Sequence, residues 1–173
     1  AEHLEHAGYD PSKITFRHNG VDPISRPKID EIRSFRDKHK LKSGFKKVIF
    51  LGRIAPVKNL EKLIQDFHLL TNSGVILILA GPVDDHKYFH KLKTLINSLG
   101  IEDRVVWTGP LFGVDKACLF HDGDIFVLPS INENFGIAAA EAMTAGLPVI
   151  ATETCGITEH FEEGAGIVVD FSD

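Results

Sequence analysis

The chain has 173 residues, 43% of them hydrophobic, with a formal net charge of −5. That is enough apolar material for a domain with a proper core, and it excludes disorder over most of the length. The acidic balance argues against nucleic acid as a partner, because nucleic-acid binders need a basic patch; the local basic run, Lys38 to Lys47, is broken by Leu41 and Phe45 and reads as a solvated helix end and loop.

Residues 1–45 read as a lead-in and connecting segment from something upstream. Leu4 to Gly8 has the look of a helix end, Ile14-Thr15-Phe16 of a short strand, and Asn19-Gly20-Val21-Asp22-Pro23 of a turn. A helix is expected from Ile29 to about His39. From residue 46 onward one unit repeats. Apolar runs Val48–Leu51, Val75–Ala80, Val105–Thr108, Ile125–Leu128, Pro148–Ala151 and Gly166–Val169 each end at a breaker or polar residue. Runs without polar alternation predict strands buried on both faces, as in a parallel sheet. Between them Leu60, Leu63, Ile64, Phe67 and Leu70 recur at helical spacing, as do Phe89, Leu92, Leu95, Ile96 and Leu99. Shorter helices are expected from Asp115 to His121 and from Gly136 to Ala145. The alternation predicts a doubly wound, Rossmann-like parallel sheet of about six strands, helices on both faces, over residues 46–173. The chain stops just after a strand that should return through a helix, which reads as a domain cut before its last helices.

Cys118 and Cys155 make no disulfide framework, and Cys118, in Ala117-Cys118-Leu119-Phe120, reads as a small buried hydrophobe. With no signal peptide and no apolar run long enough for a bilayer, a reducing cytoplasmic setting is expected. His86 and His90 (i, i+4) and His3 and His6 (i, i+3) lack a third ligand, so surface histidines and no metal are expected. Asp122-Gly123-Asp124 has an Asp-x-Asp spacing that can hold a metal ion, but it precedes a strand and reads as a turn and strand start. Asp84-Asp85 reads as a helix start.

Glu133 and Glu141 flank a helix N-terminus that follows a buried strand. Free N–H groups there favour an anion, most often a phosphate. In one continuous helix the two Cα atoms would stand roughly 12 Å apart, suited to gripping two parts of one long polar ligand. Arg53 and Lys58 follow the first full strand at the same edge of the sheet, where two fixed cations suit a diphosphate. Alone, each glutamate would read as a helix-start or solvated residue; the joint pattern carries the ligand reading.

These residues resemble the C-terminal, donor-binding domain of glycosyltransferase family four enzymes, which have the two-domain GT-B fold. The matching segments are Asn19-Gly20-Val21-Asp22, Gly52-Arg53 with Lys58-Asn59, Ala80-Gly81, Leu99-Gly100, Arg104-Val105 with Thr108-Gly109, and Pro129-Ser130. Further on they are Glu133-Asn134-Phe135-Gly136 with Glu141-Ala142-Met143, Gly146 to Ala151, Cys155-Gly156 with Glu159, and Gly166. The resemblance implies transfer of a sugar from a nucleotide sugar, UDP- or GDP-linked, to a glycan, lipid-linked or small acceptor. It implies retention at the anomeric carbon, no cofactor and no required metal. By resemblance, Arg53 and Lys58 hold the diphosphate and Glu133 faces the sugar hydroxyls. Backbone N–H groups near Asn134, Phe135, Gly136 and Ile137 reach sugar and phosphate, and Glu141 accepts from the ribose. The base lies near Gly109, Pro110 and Leu111. Phe135 itself reads as a packing residue. The acceptor belongs to a missing N-terminal domain, so this half is expected to be inactive alone; the whole enzyme is compatible with peripheral association at the inner face of a membrane. The competing reading is a non-catalytic nucleotide-sugar binding module or regulatory subunit. A phosphorylase lacks its lysine motif here, and a dinucleotide dehydrogenase lacks Gly-x-Gly-x-x-Gly after the first strand.

Overall fold

The computed structural model describes residues 6–13, 20–70, 74–161 and 164–170. The strand expected at Ile14–Phe16, together with His3, Leu4, Asn19 and Phe171–Asp173, lies outside the described residues. Six strands form one parallel sheet: β1 (Lys46–Leu51), β2 (Val75–Ala80), β3 (Val105–Gly109), β4 (Ile125–Leu128), β5 (Val149–Thr152) and β6 (Gly166–Val169), in the order β3-β2-β1-β4-β5-β6. Five helices accompany them: α1 (Ile29–Lys38), α2 (Leu60–Leu69), α3 (His86–Leu99), α4 (Gly113–Asp122) and α5 (Ile137–Thr144). Right-handed crossovers send the chain outward through β1, β2 and β3, then back across to β4 and β5. The helices therefore fall on opposite faces: α2 packs with α3, and α4 packs with α1.

The strand interiors are apolar because both faces of the sheet centre are covered. Ile49, Phe50, Leu77 and Leu79 are fully buried, each worth about 1.5–3 kcal/mol of transfer free energy. In α2 the buried stripe is Leu60, Leu63, Ile64 and Phe67. In α3 it is Tyr88, Leu92 and Ile96, so the stripe includes Tyr88, while Phe89 packs edge-on against Trp107 at 4.8 Å. Asp85 caps α3, its carboxylate accepting from Lys87 N–H and Tyr88 N–H at 2.8 and 2.9 Å.

From α1 onward the chain packs against the sheet domain. Phe35 and Leu41 are buried in the same core. Lys47, expected in a solvated run, is a correction: it is 6% exposed. Its ammonium faces Asp122 at 3.6 Å and donates to the Phe45 carbonyl at 3.2 Å. Asp122 also accepts from the Arg36 guanidinium, and Asp124 accepts from Lys46 Nζ at 2.7 Å and Lys47 N–H at 2.9 Å. Both aspartates thus organise the strand-entry end of the sheet by accepting from cationic side chains and, for Asp124, a backbone N–H. Asp122 closes α4 and Asp124 precedes β4, which extends the turn reading to a buried helix end.

Beside α2, over β4 and β5, an apolar hollow of about 480 Å³ is lined by Val48, Phe67, Ile125, Val127 and Ile150. It opens on a face of the sheet, with few polar groups. No helix among the described residues is long and apolar enough to cross a membrane.

Candidate donor site at the sheet switch point

β1 and β4 are neighbours whose following helices leave on opposite faces. Such a switch point opens a crevice above the carboxyl ends of the two strands. The loops bordering it are 52–59 and 129–136. They are joined directly, because Ile131 N–H donates to the Val57 carbonyl at 2.9 Å. That bond brings Lys58 beside Glu133, 75 residues on, and the two form a short ion pair with side chains 13% and 22% exposed. Arg53, on the outer limb of the first loop, pairs with Asp84 at 2.8 Å, and both side chains are largely in water.

Glu133 stands four residues before α5, not inside it, so the continuous-helix spacing does not apply. Its backbone is clamped to the loop after β5: Glu133 N–H donates to Thr154 O at 3.3 Å, and Gly156 N–H donates to Glu133 O at 3.0 Å. The chain then turns through Gly136 at φ 99°. Here glycine is required twice over. The conformation is left-handed, and a Cβ would stand 2.9 Å from a Leu128 methyl and 3.2 Å from one of Ile157. Gly136 O accepts from Ala139 N–H and Ala140 N–H, but no side chain caps α5 and its first turn has no acid. The leading N–H groups of α5 therefore lack intrahelical partners and present partial positive charge to the crevice.

Glu141, one turn into α5, is held by Lys116 of α4 at 2.7 Å, with side chains 17% and 28% exposed. A cavity of about 450 Å³ takes in Arg53, Lys58, Glu133, Gly136 and Ile137. Another of about 390 Å³ takes in Arg53, Pro110, Leu111, Lys116, Ile137 and Glu141. The two share Arg53 and the start of α5, so they are halves of one elongated cleft. The arrangement has an acid–base pair at either end and the uncapped helix between. It suits a ligand with an anionic middle and hydroxyls on both sides. Three residues of the expected set do not line either half. Gly109 ends β3, its carbonyl accepting Gly81 N–H at 2.9 Å. Asn134 is exposed. Phe135 is half-buried, edge-on to His160 with centroids 6.0 Å apart.

Lys116 and Asp84 were not legible as site residues. A cation in the opening turns of a helix works against the dipole, and that misfit was the available signal for Lys116. Beneath the site, Thr152 and Thr154 hydroxyls both donate to the Ser130 carbonyl, at 2.5 and 2.7 Å, while burial pushes the Cys155 thiol up and leaves it a neutral packing group. Among the described residues no cluster of His, Cys, Asp or Glu is gathered to hold a metal ion.

Fold and cleft together define a doubly wound α/β domain with a charged cleft at its switch point. The match to a family model narrows this: residues 31–173 fit the model described as glycosyl transferases group 1, and the chain belongs to that family. It is 30% identical over 175 residues to a D-inositol 3-phosphate glycosyltransferase of Pseudarthrobacter chlorophenolicus, covering 98% of this chain and 41% of that protein. An uncharacterized glycosyltransferase of Methanocaldococcus jannaschii is 32% identical over 151 residues, 85% of this chain and 38% of its own. Among solved structures, Anabaena HepE in complex with UDP and glucose superposes with a TM-score of 0.84 at 27% identity, over 96% of this chain and 46% of that one. The chain thus spans between about a third and two fifths of the length of the curated relatives it matches.

Proposed function

We propose that this domain binds the nucleotide-sugar donor of a retaining glycosyltransferase of family four, and that the whole protein transfers the sugar to an acceptor held by an N-terminal domain. The observation that carries the reading is the single cleft running from Lys58–Glu133, across the uncapped start of α5, to Lys116–Glu141. A diphosphate sits at the helix start beside Arg53 and Lys58. Its sugar faces Glu133, and its ribose faces Glu141. Charge that develops on the leaving diphosphate meets cations and a helix dipole already in position, which is the preorganised stabilisation that lowers a barrier. This gives the site the charge it needs from its own residues, without a metal. The UDP and glucose bound in Anabaena HepE support a uridine nucleotide.

Calorimetric titration of the full natural chain with UDP, GDP and ADP, in the absence of metal, tests the reading. One nucleotide should bind selectively, and both Arg53→Ala and Glu141→Ala should weaken it. Equal, weak binding of all three nucleotides, unchanged in the variants, would overturn the donor-site assignment. Release of sugar to an acceptor separates a transferase from a binding module.

A further inference from the structure

Lys58 stands two residues ahead of Leu60, where α2 begins without a cap of its own. Asn59 takes a left-handed conformation, φ 51°, and its side chain makes no capping bond. A helix start leaves its first N–H groups without intrahelical acceptors. Here an acceptor arrives from α3: the Tyr88 hydroxyl accepts Leu60 N–H at 3.0 Å. The bond is sealed from water, with Leu60 wholly buried and Tyr88 nearly so. Burial pushes the phenol up, against a smaller pull from the Leu60 and Glu61 backbone, so the hydroxyl keeps its proton at neutral pH.

The same stretch of chain grips the other limb of the loop. Ile54 N–H donates to Pro82 O at 2.9 Å, and Asp84 N–H and Asp85 N–H reach Ile54 O at 3.3 and 3.4 Å. Asp85 fixes the first turn of α3 by capping it. A rigid turn, Pro82 to Tyr88, therefore touches the 52–59 loop beside Arg53 and again beside Lys58. At the Lys58 end two polar links cross from α3 to the first turn of α2: the buried Tyr88 hydroxyl on Leu60 N–H, and an ion pair of Lys91 with Glu61 at 2.7 Å in which the Lys91 side chain is largely in water.

We propose that Tyr88 is a positioning residue for Lys58: its hydroxyl fixes the start of α2 and thereby the place where the Lys58 ammonium meets the diphosphate. The inference rests on the donor-binding reading above. A tyrosine needed only for packing would lose nothing specific on conversion to phenylalanine, which keeps the ring and removes one oxygen.

The test compares wild type, Tyr88→Phe, Lys58→Ala and the double variant in the full natural chain, by calorimetry. The ligands are whichever of UDP, GDP and ADP wild type binds most tightly, and its monophosphate. Tyr88→Phe should weaken the diphosphate about fivefold, as a net hydrogen bond of ordinary strength would, and leave the monophosphate within about twofold. In the Lys58→Ala background it should change nothing further, because residues acting through one contact are not additive. Equal losses for both nucleotides, or additive losses in the double variant, would overturn the inference while sparing the donor reading. A Lys58→Ala variant that binds the diphosphate as well as wild type would remove the basis of both. Amide exchange in the wild-type chain supplies a measurement free of substitutions: Leu60 N–H should exchange among the slowest of its helix, and exchange as fast as an exposed amide refutes the bond.

Discussion

Replacing Gly81 with alanine should cost about 3–5 kcal/mol of stability, a value worked from backbone geometry. Gly81 follows β2 at φ 141°, a conformation that L-residues rarely adopt. A Cβ built there would stand 1.8 Å from the Gly52 carbonyl oxygen. No side-chain rotation relieves that collision, because both partners are backbone. The ends of β1 and β2 must part by more than 1 Å to reach ordinary C···O contact near 3.3 Å. Three bonds stand in the path of that movement: Gly52 N–H to Ala80 O at 3.0 Å, Gly81 N–H to Gly109 O at 2.9 Å, and Ile54 N–H to Pro82 O at 2.9 Å. Losing two of them costs about 2 kcal/mol net, and the strained φ adds about 1–3 kcal/mol. Urea unfolding gives the difference directly, provided the slope is unchanged. Gly146→Ala is the control, since Gly146 has φ 83° but open space where its Cβ would go; it should lose only the left-handed cost of about 1–2 kcal/mol. Equal losses for the two variants would refute the close approach of β1 and β2. Gly81→Ala should also weaken nucleotide binding, because Arg53 and Ile54 ride on the displaced segment.

At the other end of the sheet, Asp122→Asn should destabilise by about 3 kcal/mol. It leaves the buried Lys47 ammonium without its carboxylate, while Arg36, 37% exposed, turns to water. Nucleotide affinity should not change, which a paired melt and titration would check. Acidification provides a further test. Burial, aided by Lys38, holds the His39 imidazole below its ordinary range, and its Nε2 has no hydrogen-bond partner. A histidine with a lowered native pKa binds its proton more readily when unfolded, so stability falls as pH drops below about 6.5. His39→Leu should flatten the melting temperature over about one pH unit on either side of that value; an unchanged slope would place the dependence elsewhere.

The strand run was legible because each apolar segment ends at a residue the backbone needs for a turn. Val75–Ala80, Ile125–Leu128 and Gly166–Val169 stand where the sequence places them. Parallel order followed from runs with no polar alternation. What pairs with what across the cleft was not legible. Lys58 and Glu133 meet because Ile131 N–H finds the Val57 carbonyl, a backbone bond that no residue type announces. Lys116 hid in the opening turns of a short helix until Glu141 explained it. Lys47 looked solvated because its neighbours are, yet strand alternation turns it inward to an aspartate 75 positions on. In each case the periodicity set the element, and the long-range electrostatic partner set the residue's role.

The cleft also lies over the thinnest seam in the sheet. β1 meets β2 through six register pairs, Lys46↔Val75 to Leu51↔Ala80, but meets β4 through two, Val48↔Ile125 and Ile49↔Phe126. Breathing of the native state should begin there, with the two half-sheets parting before either loses its own ladder. A molecule lying across both loops stitches that seam from above. Its binding energy then adds to the cost of parting, so occupancy should slow amide exchange along β4 more than along β2.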